Sequence, residues 1–417
     1  MSSELTAATP QGMMADTRPA VTVLAGFSPQ ATLAVAQTLL VTDPSLLLVR
    51  HDLADVRDGA VQRVVRTATE IVEDVTVRLG PGHATCTLHE VVLPALVKLS
   101  REHPGRDLLL VLPESLEPES LAAACRHCLV DASPVAAALR FDSYVTVVDA
   151  RRAMRDLCSS DDLCHRGMHV HEHDYRAVAE VLVNQIEYAD TVVLWSDPEL
   201  DGYEVTRLAT LLQRLAPWAS HHVAGTTRRI DCTELAARLR RTGRHDPAVP
   251  GMLGRALEGF SVGVHEPAPD CGVVSVLFEA RRPFHPQRLH DALLDLSGEA
   301  LRSRGQTWVA SQPDAAISWE SAGGGVSLGS LGYWLAALPA ERWSEATAYR
   351  RAAADLGWHP YYGDRRTALA FIGVGLDAAA VTDRLHACLI SDDEAAQGFD
   401  TWAAWPDPFA GCFPVAE

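Results

Sequence analysis

The stretch VTVLAGFSPQATLAVAQTLL (21–40) decides the fold. An apolar run, VTVLA, meets a glycine, crosses a short turn and continues as an Ala/Leu-rich helical segment. That is the layout of a β-strand feeding a phosphate-binding loop and its helix. A loop able to turn over a nucleotide reads G-x-x-x-x-G-K-[ST], because glycines let backbone N–H groups approach the phosphates, the lysine neutralises them and the hydroxyl holds Mg²⁺. Here Gly26 is present, but Ala31 stands for the second glycine, Thr32 for the lysine and Leu33 for the Ser/Thr. Pro29 removes an N–H donor. The scaffold is expected to persist without its phosphate chemistry, with weak anion binding at the helix N-terminus as the alternative.

The strand signal repeats. LLLVRHD (46–52), DLLLVLP (107–113), YVTVVDA (144–150) and ADTVVLW (189–195) are continuous apolar runs of the kind buried in parallel sheets. Helical segments such as 88–103 and 174–189 lie between them, which predicts an α/β layered sheet with right-handed crossovers. Residues 226–270 are charged and punctuated by Pro and Gly, and read as a linker with one or two helices. From Cys271, GVVSVLFEARR, a helix over PFHPQRLHDALLDL, strands at TWVAS, GVSL and ALAFIGVGL, and a second helix at DAAAVTDRLHACLI predict a small α+β, ferredoxin-like unit. The expected organisation is a flexible tail (1–19), a P-loop-like domain (20–225), the linker (226–270), a C-terminal domain (271–395) and an irregular tail (396–417).

Composition narrows the function. The 417 residues carry a formal net charge of −18, which argues against broad contact with DNA or RNA backbone and points to protein partners. No apolar run approaches the roughly 20 residues that span a bilayer, and the first residues lack a secretory pattern. A cytoplasmic location is expected, with the nine cysteines as thiols or metal ligands rather than disulfides. Lys98 is the sole lysine of the chain, so any chemistry that needs a lysine must use it. The guanine-reading N-K-x-D has no counterpart after ADTVVL, where Trp195, Ser196, Asp197 and Pro198 follow. Asp197 alone could accept from a base. Glu114 and Glu117, after DLLLVL, read as solvated loop acids.

Three further clusters carry chemistry. CHRGMHVHEH (164–173) places Cys164, His165, His169, His171 and His173 within ten residues. These are zinc-ligand types, and in an extended segment the last three would share a side. His83 and Cys86 form a second pair that needs a further donor, such as His51 or His89. RRPFHPQRLH (281–290) concentrates Arg281, Arg282, His285 and Arg288, either as a strand-to-helix turn with a proline-capped helix or as a docking surface for an acidic partner.

The pieces GFSPQATLAVAQTLL, GHATCTLHEVVLPALV, FDSYVTVVDA, NQIEYADTVVL, RRPFHPQRLHDAL and YYGDRRTALAFIGVGLD, in this order, resemble the CobW family. That resemblance implies a P-loop GTPase-type domain, a small C-terminal domain and a link to zinc. GHATCT (82–87) stands where the family has G-C-x-C-C-T. His83 and Thr85 replace the first two cysteines and Cys86 matches the third. Within the family the chain is most similar to an actinobacterial branch with a decayed P-loop, which implies zinc as ligand, no firm GTP site, and as partners the small ribosomal subunit and a hibernation-promoting factor recruited under zinc limitation. The family also implies the competing reading, a zinc metallochaperone with or without weak GTP hydrolysis.

Overall fold

The computed structural model describes residues 16–79, 87–171, 174–196, 199–225, 231–264 and 268–414. Eight strands form the large sheet: β1 (Ala20–Ala25), β2 (Leu47–Asp52), β3 (Ala60–Arg66), β4 (Ile71–Arg78), β5 (Leu108–Val111), β6 (Arg140–Asp149), β7 (Thr191–Ser196) and β8 (Ser220–Gly225). Their spatial order is β8-β7-β6-β1-β5-β2-β3-β4. Six are mutually parallel, from β8 to β2. β3 and β4 then extend the sheet as an antiparallel hairpin.

Alternation along the parallel strands supplies two cores. Val21, Val23, Val49, Leu108 and Leu110 face helices α2 (Leu93–Glu102) and α3 (Pro118–His127). Leu24, Leu48, Leu109, Val145 and Val147 face α1 (Pro29–Thr42) and α6 (Cys232–Leu239). Asp231 caps α6 by accepting from the N–H groups of Thr233 and Glu234. Helices α4 (Val178–Glu187) and α5 (Gly202–Leu215) cover the β6–β8 end.

The C-terminal domain is an antiparallel sheet of β9 (Val273–Ala280), β10 (Arg302–Thr307), β11 (Ala315–Ala322), β12 (Gly325–Tyr333) and β13 (Thr367–Val374), in the order β9-β13-β10-β11-β12. β9 and β10 both pair with β13, so β9, α7 (Pro286–Glu299) and β10 make a split β-α-β unit. α7 and α8 (Ala378–Cys388) bury Leu289, Leu296, Val381 and Leu385 on one face of this sheet. Gly323 and Gly324, both at positive φ, turn β11 into β12.

The other face of the small sheet packs on the first domain. Val273, Ala322 and Ile372 share a cluster with Val178, Leu182, Leu208 and Leu212. Within that contact Glu187, at the end of α4, is fully buried between two arginines of β10. Arg302 donates from Nε and Nη2 to its two carboxylate oxygens at 2.8 Å each, and Arg304 pairs with the same carboxylate. Arg302 also reaches Glu320 at 2.8 Å, and Arg304 donates to the carbonyls of Val262 and Leu215. Burial alone would raise the Glu187 carboxyl, and the two guanidinium groups hold it below its ordinary range.

Two expectations change. The residues after 395 are not an irregular tail throughout, since Trp402, Phe409 and Phe413 are buried. Trp402 joins an aromatic cluster with Trp308 and Phe399, Phe409 and Phe413 join the core of the C-terminal sheet, and Gln312 donates to Asp407 and to the Phe409 carbonyl; RRPFHPQRLH holds the segment just before them and stacks on Trp405. Arg282 pairs with Asp392, Arg288 with Glu394 at 2.6 Å, and His285 stacks on Trp405 at 5.1 Å. His285 also accepts from the Arg288 N–H to cap α7, and Arg281 donates to the Arg365 carbonyl. Glu117 is not a solvated acid. It receives Arg176 at 3.0 Å and Asn184 at 3.4 Å, and burial raises its carboxyl.

Candidate functional site at the carboxyl edge of the large sheet

Open α/β sheets place their ligands beyond the carboxyl ends of the strands, and the quoted loop lies there. Only Gly26, Phe27 and Ser28 separate β1 from α1, which starts at Pro29. Phe27 is turned into the core against Val148 and Val178. The Ser28 hydroxyl donates to Asp149 Oδ2 at 2.8 Å. Its carbonyl accepts both the backbone N–H and the hydroxyl of Thr32 at 3.0 Å, so Thr32 is turned back onto its own helix. A Cβ on Gly26 would lie 2.5 Å from both Thr32 Oγ1 and the Val147 carbonyl oxygen. Gly26 is therefore required by close packing, whatever it once did for a ligand. Lys98 sits on α2 and pairs with Glu73 at 3.1 Å and Glu102 at 3.8 Å. Asp197 lies outside the described residues.

Beside the loop is a cavity of about 190 Å³ walled by Gly26, Pro29 and Thr32, by Arg50, His51 and Asp52 at the end of β2, and by Pro113 and Glu114 after β5. His51 is its unusual member. It is 2% exposed, and neither ring nitrogen has a hydrogen-bond partner among the described residues. Burial, reinforced by the charge of Arg63, pushes its pKa down to about 3, so the imidazole is neutral at physiological pH. A neutral imidazole with a free lone pair is the state that ligates a metal. Leaving it buried and unpaired otherwise costs about 1–3 kcal/mol.

β4 runs parallel to β2, and the Leu79 N–H bonds the Gly59 carbonyl at 2.9 Å, just past the end of β2. From Thr87 the chain runs through α2 to the amino edge, where β5 begins. His83 and Cys86 belong to the segment between, outside the described residues.

The histidine-rich segment is put to local use. Cys164 donates to the Asp174 carbonyl at 3.1 Å, and His165 Nδ1 accepts from the Asp162 N–H at 3.1 Å. His169 Nε2 lies 3.1 Å from Arg57, on the turn that follows β2, while its Nδ1 is buried without a partner. His171 interacts electrostatically with Asp174, and His173 lies outside the described residues. Among the described residues, no three His, Cys, Asp or Glu side chains are grouped to hold a metal.

Comparison with known proteins places this architecture. The CobW/HypB/UreG nucleotide-binding domain matches residues 53–219, and the cobalamin synthesis protein cobW C-terminal domain matches residues 273–389. A Mycobacterium tuberculosis protein named as a zinc chaperone is 34% identical over 399 residues, which cover 88% of this chain and 92% of that one. The chain belongs to the CobW family. A second CobW-type relative, zinc-regulated GTPase metalloprotein activator 1 of Dictyostelium discoideum, is 27% identical over 358 residues, covering 83% of this chain and 73% of its own. The Zn(II)-bound YjiA GTPase of E. coli covers 89% of this chain at 15% identity with a TM-score of 0.36, too slight an overlap to argue from. The match to the CobW nucleotide-binding domain begins at residue 53 and so omits the loop after β1. No helix among the described residues is long and apolar enough to cross a membrane.

Sequence reasoning missed the Glu187–Arg302–Arg304 contact. The one available signal was a pair of arginines two residues apart in LRSRGQTW, a spacing that puts both on one face of a strand.

Proposed function

We propose that this chain is a zinc-handling CobW-family protein that acts by binding, with its nucleotide chemistry given up. The observation that carries the reading is His51. A neutral imidazole, buried and unpaired at the carboxyl edge of the sheet, fits a metal far better than it fits a packed core. Zinc is held by Cys, His and carboxylate donors, usually four. His51 would supply one, and His83 and Cys86 are the further donors we propose beside it. Asp52 and Glu114 stand on the cavity wall, where they can orient an imidazole or accept from bound water. A tetrahedral site of this kind would let the chain carry or sense the ion without hydrolysing anything. The relatives named for zinc support the same general role.

The loop geometry supports the loss of nucleotide chemistry. Phe27 and Ser28 use up the turn, and Thr32 serves its own helix. Competition against a chromophoric chelator tests the metal reading. One Zn²⁺ per chain is expected, weakened at least about tenfold by His51→Ala and by Cys86→Ser, with GTP bound no tighter than the millimolar range. Equal zinc affinity in His51→Ala, or micromolar GTP binding, would overturn it.

As partners we propose those implied by the branch resemblance, the small ribosomal subunit and a hibernation-promoting factor. A chain of net charge −18 would make such contacts through protein rather than through a broad face on RNA. Sedimentation with the small subunit in zinc-starved cells only is the expected result. A chain found at the top of the gradient in both zinc states would leave metal carriage as its role.

A further inference from the structure

The amino edge of the large sheet, opposite the candidate metal site, holds two adjoining cavities of about 500 and 320 Å³ that meet at Tyr188 and His245. Phe141 and Tyr144, at the start of β6, and Tyr188, just past α4, form an aromatic wall. Tyr144 meets Tyr188 edge-on at 5.3 Å, Phe141 at 6.1 Å and His245 at 4.6 Å between centroids. Residues 243–252 cross over this wall as a strap pinned at both ends. On one side Arg240 holds Asp43 and Asp107, Arg241 holds Asp107 at 2.7 Å, and the Thr242 N–H donates to Asp142 at 3.0 Å. On the other, Gly251 lies so close to the Glu119 carboxylate that a Cβ would overlap it, and the Arg255 guanidinium sits 4.0 Å over the Trp218 ring.

What the cleft can offer a ligand is decided by what is already spent. Asp142 is taken by Arg140 and Thr242. Asp190 accepts the Tyr144 N–H at 2.8 Å and faces His245 at 3.5 Å. Asp246 accepts the Ala248 N–H, and Glu187 belongs to its two arginines. Each of these carboxylates thus already accepts at least one hydrogen bond within the fold. The side chains of Arg126, on the larger cavity, and Arg244, on the smaller, have no hydrogen bond or ion pair among the described residues, and neither do the hydroxyls of Tyr144 and Tyr188. Burial raises both phenols, so they remain protonated and able to donate. In a chain with 18 excess negative charges, the unspent functions of this one cleft are donors and cations around an apolar wall.

We propose that the cleft binds an aromatic anion, a flat apolar ring carrying a carboxylate or phosphate, with the ring against Tyr144 and Tyr188 and the charge on Arg126 or Arg244. The combined space suits a ligand of drug-like or mononucleotide size. The ring gains apolar contact with the wall, and the anion gains a charge-assisted hydrogen bond at the cavity mouth. The two sources of such a ligand are an aromatic carboxylic acid and a nucleoside monophosphate.

Ligand-observed NMR on the full chain separates them. The probes are 4-hydroxyphenylacetate and adenosine monophosphate, each beside its neutral counterpart, 4-hydroxyphenylacetamide and adenosine, at concentrations on the order of 1 mM. At least one anion should bind, about tenfold tighter than its neutral counterpart, and the anion that binds identifies the source. Arg126→Gln and Arg244→Gln break no hydrogen bond or ion pair among the described residues, so both should fold, and one of them should weaken binding about tenfold. Ala136→Trp, on the exposed mouth of the larger cavity, should block it. The proposal is overturned if neither anion binds, if the neutral counterparts bind equally well, or if binding survives both arginine variants or the Ala136→Trp plug.

Discussion

Removing the Glu187 carboxylate tests whether the two domains are bound by charge or merely touch. Its side chain is 0% exposed, and those of Arg302 and Arg304 are 1% and 2% exposed. Losing one partner of a buried pair typically costs about 3–5 kcal/mol, because the survivor is left charged in a poor solvent. Here two guanidinium groups depend on one carboxylate, which argues for the upper end. Arg302 keeps Glu320 at 2.8 Å, and Arg304 keeps the carbonyls of Val262 and Leu215 at 2.7 Å each, which pulls the figure back. We therefore expect Glu187→Ala to lower unfolding stability by about 4 kcal/mol. A triple change, Glu187→Leu with Arg302→Met and Arg304→Met, should come within about 1 kcal/mol of the parent or exceed it, since apolar residues of similar volume can replace buried ion pairs. Urea unfolding followed by circular dichroism and by tryptophan fluorescence reads both. Trp218 lies beside this contact, with the Arg304 guanidinium 5.1 Å from its ring, so loss of domain docking should appear in fluorescence first. If Glu187→Ala unfolds within 1 kcal/mol of the parent, with both probes coincident, the triad does not hold the domains together and the reasoning fails.

Three further outcomes follow from the same structure. His51→Leu should leave the zinc-free protein as stable as before, or stabler by about 1–2 kcal/mol, because it deletes a buried unpaired imidazole. A loss of more than that in thermal melts would mean that His51 is structural. Gly26→Ala should cost about 1–3 kcal/mol by overpacking, as its Cβ meets the Val147 carbonyl, and a melting temperature equal to the parent's would refute the packing role assigned to this glycine. Glu119 is raised from 4.5 to about 7, first by burial and then by the neighbouring carboxylates of Glu117, Glu320 and Glu187. Between those two pH values the folded chain keeps a proton that the unfolded chain has released, so this group's contribution to stability falls as pH rises through the window and is flat above it. Glu119→Gln should match the parent near pH 4.5 and exceed it by about 3 kcal/mol above pH 7; parallel pH–stability curves for the two proteins would contradict this.

Five of the six parallel strands were legible because both their faces are buried, which leaves an unbroken apolar run. The strands that escaped notice lack that signature. β8, SHHVAG, begins with polar residues at the sheet edge, and β4, IVEDVTVR, is largely exposed along its length. β10 was placed too late, at TWVAS, because its first residues are the arginines that bury themselves against Glu187. The same limit applies to the candidate site. The missing lysine could be read directly, whereas the inward turn of Phe27 and the hook of Ser28 on Asp149 are tertiary contacts. His51 is an ordinary histidine at a strand end until the neighbours that fail to pair with it are known. The stretch 226–270 was read as a linker from its charge and prolines. Part of it is α6, packed on α1, and part is the strap over the aromatic cleft.

The loop after β1 has a bearing on how reversible this chain's history is. Changing Ala31 to Gly, Thr32 to Lys and Leu33 to Ser would restore every letter of a phosphate-binding motif. It would not restore the motif's shape, because all three positions already lie inside the first turn and a half of α1. Helix α1 already starts at Pro29, the aromatic ring of Phe27 fills part of the core, and only Gly26, Phe27 and Ser28 are left to make the turn. Making a phosphate-binding turn here would therefore require the helix start, the Phe27 ring and the motif letters to change together.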